Sequence, residues 1–130
     1  MLDYDSATGS FSEVQVASSL PEGFSMPGNT CADIHLTPDG NYLYGSNRGN
    51  NSLVVYRVEK ETGTLTYIDC QPCGGEISHN FAIDPSGRYL LFTNQDSDNI
   101  VTFGSDNDSG RLTKLTESTV HTTVCVKMIA

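Results

Sequence analysis

The feature that most limits what this chain can fold into is an internal repeat. Ile34-His35-Leu36-Thr37-Pro38-Asp39-Gly40-Asn41-Tyr42-Leu43 lies over Phe81-Ala82-Ile83-Asp84-Pro85-Ser86-Gly87-Arg88-Tyr89-Leu90, apolar on apolar and turn on turn, at an offset of 47 residues. The same offset carries Asn47 to Asn94, Leu53-Val54-Val55-Tyr56 to Ile100-Val101-Thr102-Phe103, and Thr62-Gly63 to Ser109-Gly110, without a gap. A period of that size belongs to propeller blades and to some helical arrays, so the local pattern has to decide between them. Each unit alternates at period two, turns at Pro-x-Gly and continues through β-branched and aromatic runs, which are the marks of strands. Pro38-Asp39-Gly40 and Pro85-Ser86-Gly87 set one hairpin per unit, because Pro fixes φ and Gly permits positive φ. Thr62-Gly63 and Ser109-Gly110 set a second. Four strands per unit follow, and no stretch carries the spacing of an amphipathic helix. The expected fold is all-β, built of four-stranded antiparallel β-propeller blades.

The repeat also predicts how the chain is divided. Residues 31–77 form one blade and residues 78–123 the next. Thr8-Gly9-Ser10-Phe11 resembles Thr62-Gly63-Thr64-Leu65, so residues 1–30 are expected to be the end of an earlier blade and a connection. The offset there is 54, lengthened by the Pro- and Gly-rich segment from Pro21 to Asn29. Residues 124–130, Val124 to Ala130, fall where the inner strand of a further blade should begin. The expectation is a fragment of a longer ring whose open blade faces and strand edges favour self-association.

Composition narrows the partners. A net charge of −9 with seven scattered Lys and Arg leaves no basic stripe for a phosphate backbone, so nucleic acid is not an expected partner. An anionic ligand would need a local cation against the overall field, which makes individual arginines worth following. No apolar run approaches a membrane span and the N-terminal residues lack the order of a signal peptide, so the expected address is the cytosol. The four cysteines are then expected as thiols. Cys70-Gln71-Pro72-Cys73 lacks the second pair of ligands that a zinc site requires, and the Asp-rich stretches near Asp96 and Asp106 lack the glutamate of a calcium loop. No metal is expected.

Positions shared by the two units are explained by architecture, so polar positions that differ are the candidates for chemistry. Arg48 stands opposite Gln95, Asp33 opposite Asn80, His35 opposite Ala82, and His79 opposite Ala32. Arg48, Gln95, Asp33 and His79 are expected on or near the rim that carries the turns between second and third strands and the connections between blades.

Cys31-Ala32-Asp33-Ile34-His35-Leu36-Thr37-Pro38-Asp39-Gly40, followed by Tyr42-Leu43-Tyr44-Gly45-Ser46-Asn47-Arg48-Gly49, resembles the lactonase family of seven-bladed propellers. Asn80-Phe81-Ala82-Ile83-Asp84-Pro85-Ser86-Gly87 with Asn94-Gln95-Asp96-Ser97-Asp98-Asn99 is similar to the next blade of that family, and Val124-Cys125-Val126 to its C-terminal strand. The resemblance implies a C-terminal portion of a lactone hydrolase of the 6-phosphogluconolactonase type, acting on a small anionic sugar-acid lactone with no organic cofactor. Arg48, a planar cation, is the candidate to hold the anion or steady the oxyanion, the alternative being a solvated loop arginine, and His35 or Asp33, each able to accept a proton from an inner strand, is the candidate general base. Gln95 and His79 join Arg48 as candidate substrate contacts. Ser78-His79 stands where relatives usually show Pro-Arg. The alternatives are a non-catalytic propeller that binds a ligand or protein, or an inactive truncated product. For Asp33 and His35 the alternative is hydrogen bonding between neighbouring blades.

Overall fold

A computed structural model describes residues 1–76 and 78–129, and the side chains of Ser78 and His79 lie outside the described residues. Every described element is a strand. A two-stranded hairpin, β1 (Leu2–Asp5) and β2 (Ser10–Glu13), is followed by two four-stranded antiparallel meanders. The first comprises β3 (Thr30–Leu36), β4 (Tyr42–Arg48), β5 (Ser52–Val58) and β6 (Leu65–Pro72). The second comprises β7 (Ser78–Ile83), β8 (Tyr89–Asn94), β9 (Asn99–Ser105) and β10 (Leu112–Thr119). Each sheet lists its strands in chain order, so each is one propeller blade. Among the described residues there is no helix long and apolar enough to cross a membrane.

The repeat is reproduced down to its irregularities. The inner strands β3 and β7 both bulge, between Cys31 and Ile34 and between Ser78 and Asn80. The outer strands bulge as well, around Ile68 in β6 and Leu115 in β10. Bulges re-aim the side chains beside them; Asp33 reaches Asn80 and Phe81 of the following blade, and Asn80 reaches back to Asp33 and on to Val126.

The core is the seam between the two blades. Tyr42, Tyr44, Leu53 and Val55 of the first pack against Phe81, Leu90, Phe92, Val101 and Phe103 of the second, all of them buried. The two tyrosines keep their hydroxyls satisfied across the seam: Tyr42 donates to the Asp108 carbonyl at 2.6 Å and Tyr44 to that of Gly110 at 2.9 Å.

Residues 124–129 differ from expectation. They run without a ladder and carry no strand assignment, and Val126 N–H donates to Asn80 Oδ1 at 2.9 Å. A strand requires a paired edge, and this segment meets a side chain instead.

Candidate functional site

The turn between β4 and β5 and the turn between β8 and β9 stand at the same end of their blades. Each uses a left-handed residue at the equivalent place, Asn51 with φ 52° and Asp98 with φ 50°. Arg48 is the last residue of β4, half-buried, with its backbone opposite Thr30 of β3. Gln95 follows β8 at the matching position and is also half-buried. His79 belongs to β7 by its backbone, and its side chain lies outside the described residues.

The asparagines beneath this rim are architectural. Asn47 is fully buried, donates to the Ser19 carbonyl at 2.7 Å and accepts from Asn29 Nδ2 at 3.0 Å, tying the incoming connection to the blade. Asn94 donates to Asn99 Oδ1 at 2.9 Å, one repeat after the Asn47 to Ser52 bond. Its amide leaves so little room that a Cβ on Gly75 would sit 2.5 Å from Nδ2.

Asp33 and His35 are brought together. His35 Nε2 lies 3.1 Å from Asp33 Oδ2, and its ring meets Phe81 edge-on with centroids 4.7 Å apart. Asp33 Oδ2 also accepts from Asn80 Nδ2 at 2.6 Å and from Phe81 N–H at 3.3 Å, while Oδ1 accepts from Ile34 N–H at 2.9 Å. Asp33 is therefore both the partner of His35 and a joint between blades. A carboxylate oxygen can only accept, so against the Asp33 carboxylate it is Nε2–H of His35 that donates to Oδ2.

A groove of about 350 Å³ opens beside this pair. His35, Asn80, Phe81, Ala82, Cys125 and Lys127 are among its walls. Its size suits a small organic ligand, and Lys127 gives this acidic protein a local cation there. The sequence reading passed over Lys127 and treated Asn80 only as the repeat partner of Asp33. The segment that carries Lys127 has no repeat partner, whereas the 47-residue offset from Asp33 was itself a signal for Asn80.

The two thiols of Cys70-Gln71-Pro72-Cys73 face different surroundings. Cys70 Sγ lies against Ser52 Oγ at 3.1 Å, and Cys73 is fully buried against the Gly75 carbonyl. Burial pushes both thiols up, away from the thiolate form. Among the described residues no group of three or more His, Cys, Asp or Glu is placed to hold a metal.

The family model for the seven-bladed β-propeller lactonases matches residues 1–128. The chain belongs to that family. A 6-phosphogluconolactonase of Bacillus subtilis is 35% identical over 83 residues, which cover 64% of this chain and 24% of that protein. One from Formosa agariphila is 51% identical over 55 residues, 41% of this chain and 16% of that protein. Among solved structures, the periplasmic gluconolactonase of Pseudomonas aeruginosa superposes with a TM-score of 0.85 at 29% identity, over 94% of this chain and 34% of that one. A protein of Lactobacillus plantarum superposes with a TM-score of 0.88 at 35% identity, over 95% of this chain and 36% of that one. This lactonase-family chain thus aligns with about a quarter or less of its curated relatives and about a third of the solved structures.

Proposed function

We propose that this chain contributes to a lactone hydrolase of the 6-phosphogluconolactonase type, acting on a small anionic sugar-acid lactone. The observation that carries the reading is the Asp33–His35 pair at 3.1 Å beside a groove of ligand size, in a chain of the lactonase family. With Asp33 holding the Nε2 proton, Nδ1 of His35 is the general base that removes a proton from water. The resulting hydroxide adds to the lactone carbonyl, the ring C–O bond breaks, and the ring oxygen leaves as a hydroxyl that takes the proton back. Arg48 pairs with the substrate anion or the developing oxyanion, and Gln95 and His79 are further candidate contacts. The cytosol is the proposed address, supported by four free thiols, with the periplasmic gluconolactonase as a contrary precedent.

Hydrolysis of 6-phosphogluconolactone is the test, with spontaneous opening in buffer as the blank. Arg48→Ala is expected to lower kcat/KM by about 10²- to 10³-fold, the usual cost of losing an anion-stabilising donor. A protein no faster than buffer rules the reading out. The second reading is a non-catalytic ligand-binding propeller, favoured by the use of Asp33 as an inter-blade joint. Turnover that depends on Arg48 would eliminate it.

A further inference from the structure

Asn80 occupies, one repeat later, the place of Asp33. Both residues sit at the bulge of an inner strand, and both have a backbone group tied to a hydroxyl of the next strand. Asp33 N–H donates to Ser46 Oγ at 2.9 Å, and the Asn80 carbonyl accepts from Thr93 Oγ1 at 2.8 Å. Both also use a side-chain oxygen to accept an N–H from the following segment: Asp33 from Phe81 at 3.3 Å, Asn80 from Val126 at 2.9 Å. That shared task needs an acceptor only, and either an aspartate or an asparagine supplies one.

The other half of the Asn80 amide does something that the shared task does not require. Nδ2 donates to Asp33 Oδ2 at 2.6 Å, a short bond to a charged acceptor, on the same oxygen that faces His35. We propose that Asn80 is a positioning residue for the Asp33–His35 pair, aiming the Asp33 carboxylate at the imidazole from the neighbouring blade. This rests on the lactone-hydrolase reading. The titratable groups around Asp33 are His35 and Cys31 on its own strand, Tyr56 of β5 and the Met1 amino group at the hollow that Asp33 also lines, and Cys125 and Lys127 across the groove that His35 lines. From β7, His79 has its side chain outside the described residues.

Asn80→Asp separates the two tasks, because it keeps an acceptor for Val126 N–H and replaces the donor with a second carboxylate against the first. Two carboxylates at that distance cannot both ionise without cost, so the pair keeps a proton in the folded state that the unfolded chain releases at lower pH. A group whose proton is held more tightly in the folded state loses its stabilising contribution as pH rises. The expected result is that the variant melts with the wild type near about pH 3 and progressively below it toward neutrality. The reversed pair, Asp33→Asn with Asn80→Asp, should recover the melting temperature at neutral pH, since one amide again faces one carboxylate. It should not recover kcat, because His35 then faces an amide. Asn80→Asp alone should lower kcat at least tenfold. Melting curves for Asn80→Asp that follow the wild type at every pH overturn the proposal, as does a reversed pair with wild-type kcat. If the melting pattern appears as expected and no form of the protein opens the lactone, the coupling of Asn80 to Asp33 stands and the lactone-hydrolase reading fails.

Discussion

Tyr56 donates its hydroxyl to the Ser18 carbonyl, where the connection from β2 crosses the first blade. The side chain is 5% exposed, and burial, with smaller contributions from Cys31, Cys70 and Tyr67, pushes its hydroxyl up to about 12. An unfolded tyrosine releases its proton near about pH 10, so the unfolded chain ionises first and stability falls as pH rises between those values, with no effect below them. Tyr44 is moved in the same direction, by burial first, against the opposing bond to Ser105. Urea midpoints measured from about pH 9 to 11 should fall steeply for the wild type and less steeply for Tyr56→Phe. Parallel curves would show that the Tyr56 proton has no part in the alkaline transition.

The repeated elements offer a matched experiment on two glycines. Gly63 and Gly110 hold the same place in the hairpins after β5 and β9, with φ of +70° and +72°. A Cβ on Gly110 would lie 2.3 Å from Cδ1 of Tyr42, whose buried ring cannot move aside, whereas at Gly63 the nearest atom is Met1 Sδ at 3.6 Å. Gly63→Ala should therefore cost only the left-handed backbone, about 1 kcal/mol, and Gly110→Ala about 2 to 4 kcal/mol once overpacking is included. Equal losses in chemical denaturation would mean that Tyr42 does not fill the Gly110 slot. The hairpins were legible from the chain alone because their chemistry is local: between β3 and β4, for example, Pro38 and Gly40 set the turn, and Asp39 accepts from the Thr37 hydroxyl and Asn41 N–H, which hold its carboxyl below the usual range. The strands were legible through period two. The groove was not, since it joins His35, Asn80 and Lys127 across two blades and a segment outside the repeat, and no local pattern encodes that meeting. The Asp33–His35 pair lay between these cases, with spacing that permits a shared face and a bulge that had to be seen before the face was known.

In the whole molecule, the seam within the chain shows what each blade face needs, and among the described residues both halves of that seam are presented again with their apolar side chains exposed. Ile34 and Leu36 are 63% and 53% exposed, although their repeat equivalents are the fully buried Phe81 and the core-packed Ile83. On the opposite face Tyr89 is 43% exposed where Tyr42 is 6%, and Leu115 is 51% exposed where Ile68 packs on the core. The outer part of the first of these faces is already covered, with Gln15 bonded to Leu65 and Tyr56 to Ser18. The inner part is bare, and β1 pairs with β2 alone, leaving its other edge unpaired within the described sheet. Apolar faces beside an unpaired edge favour association, so the mass of this chain by light scattering should rise with concentration. Ile34→Lys with Leu36→Lys should move that distribution toward the monomer without lowering the melting temperature, because both side chains already stand in water. Phe81→Lys, the same change one repeat later, should instead unfold the chain by placing an unpaired charge in the seam. A wild-type chain that stays monomeric at every concentration would show that the bare half of the face is tolerated in water, and self-association would have to be abandoned.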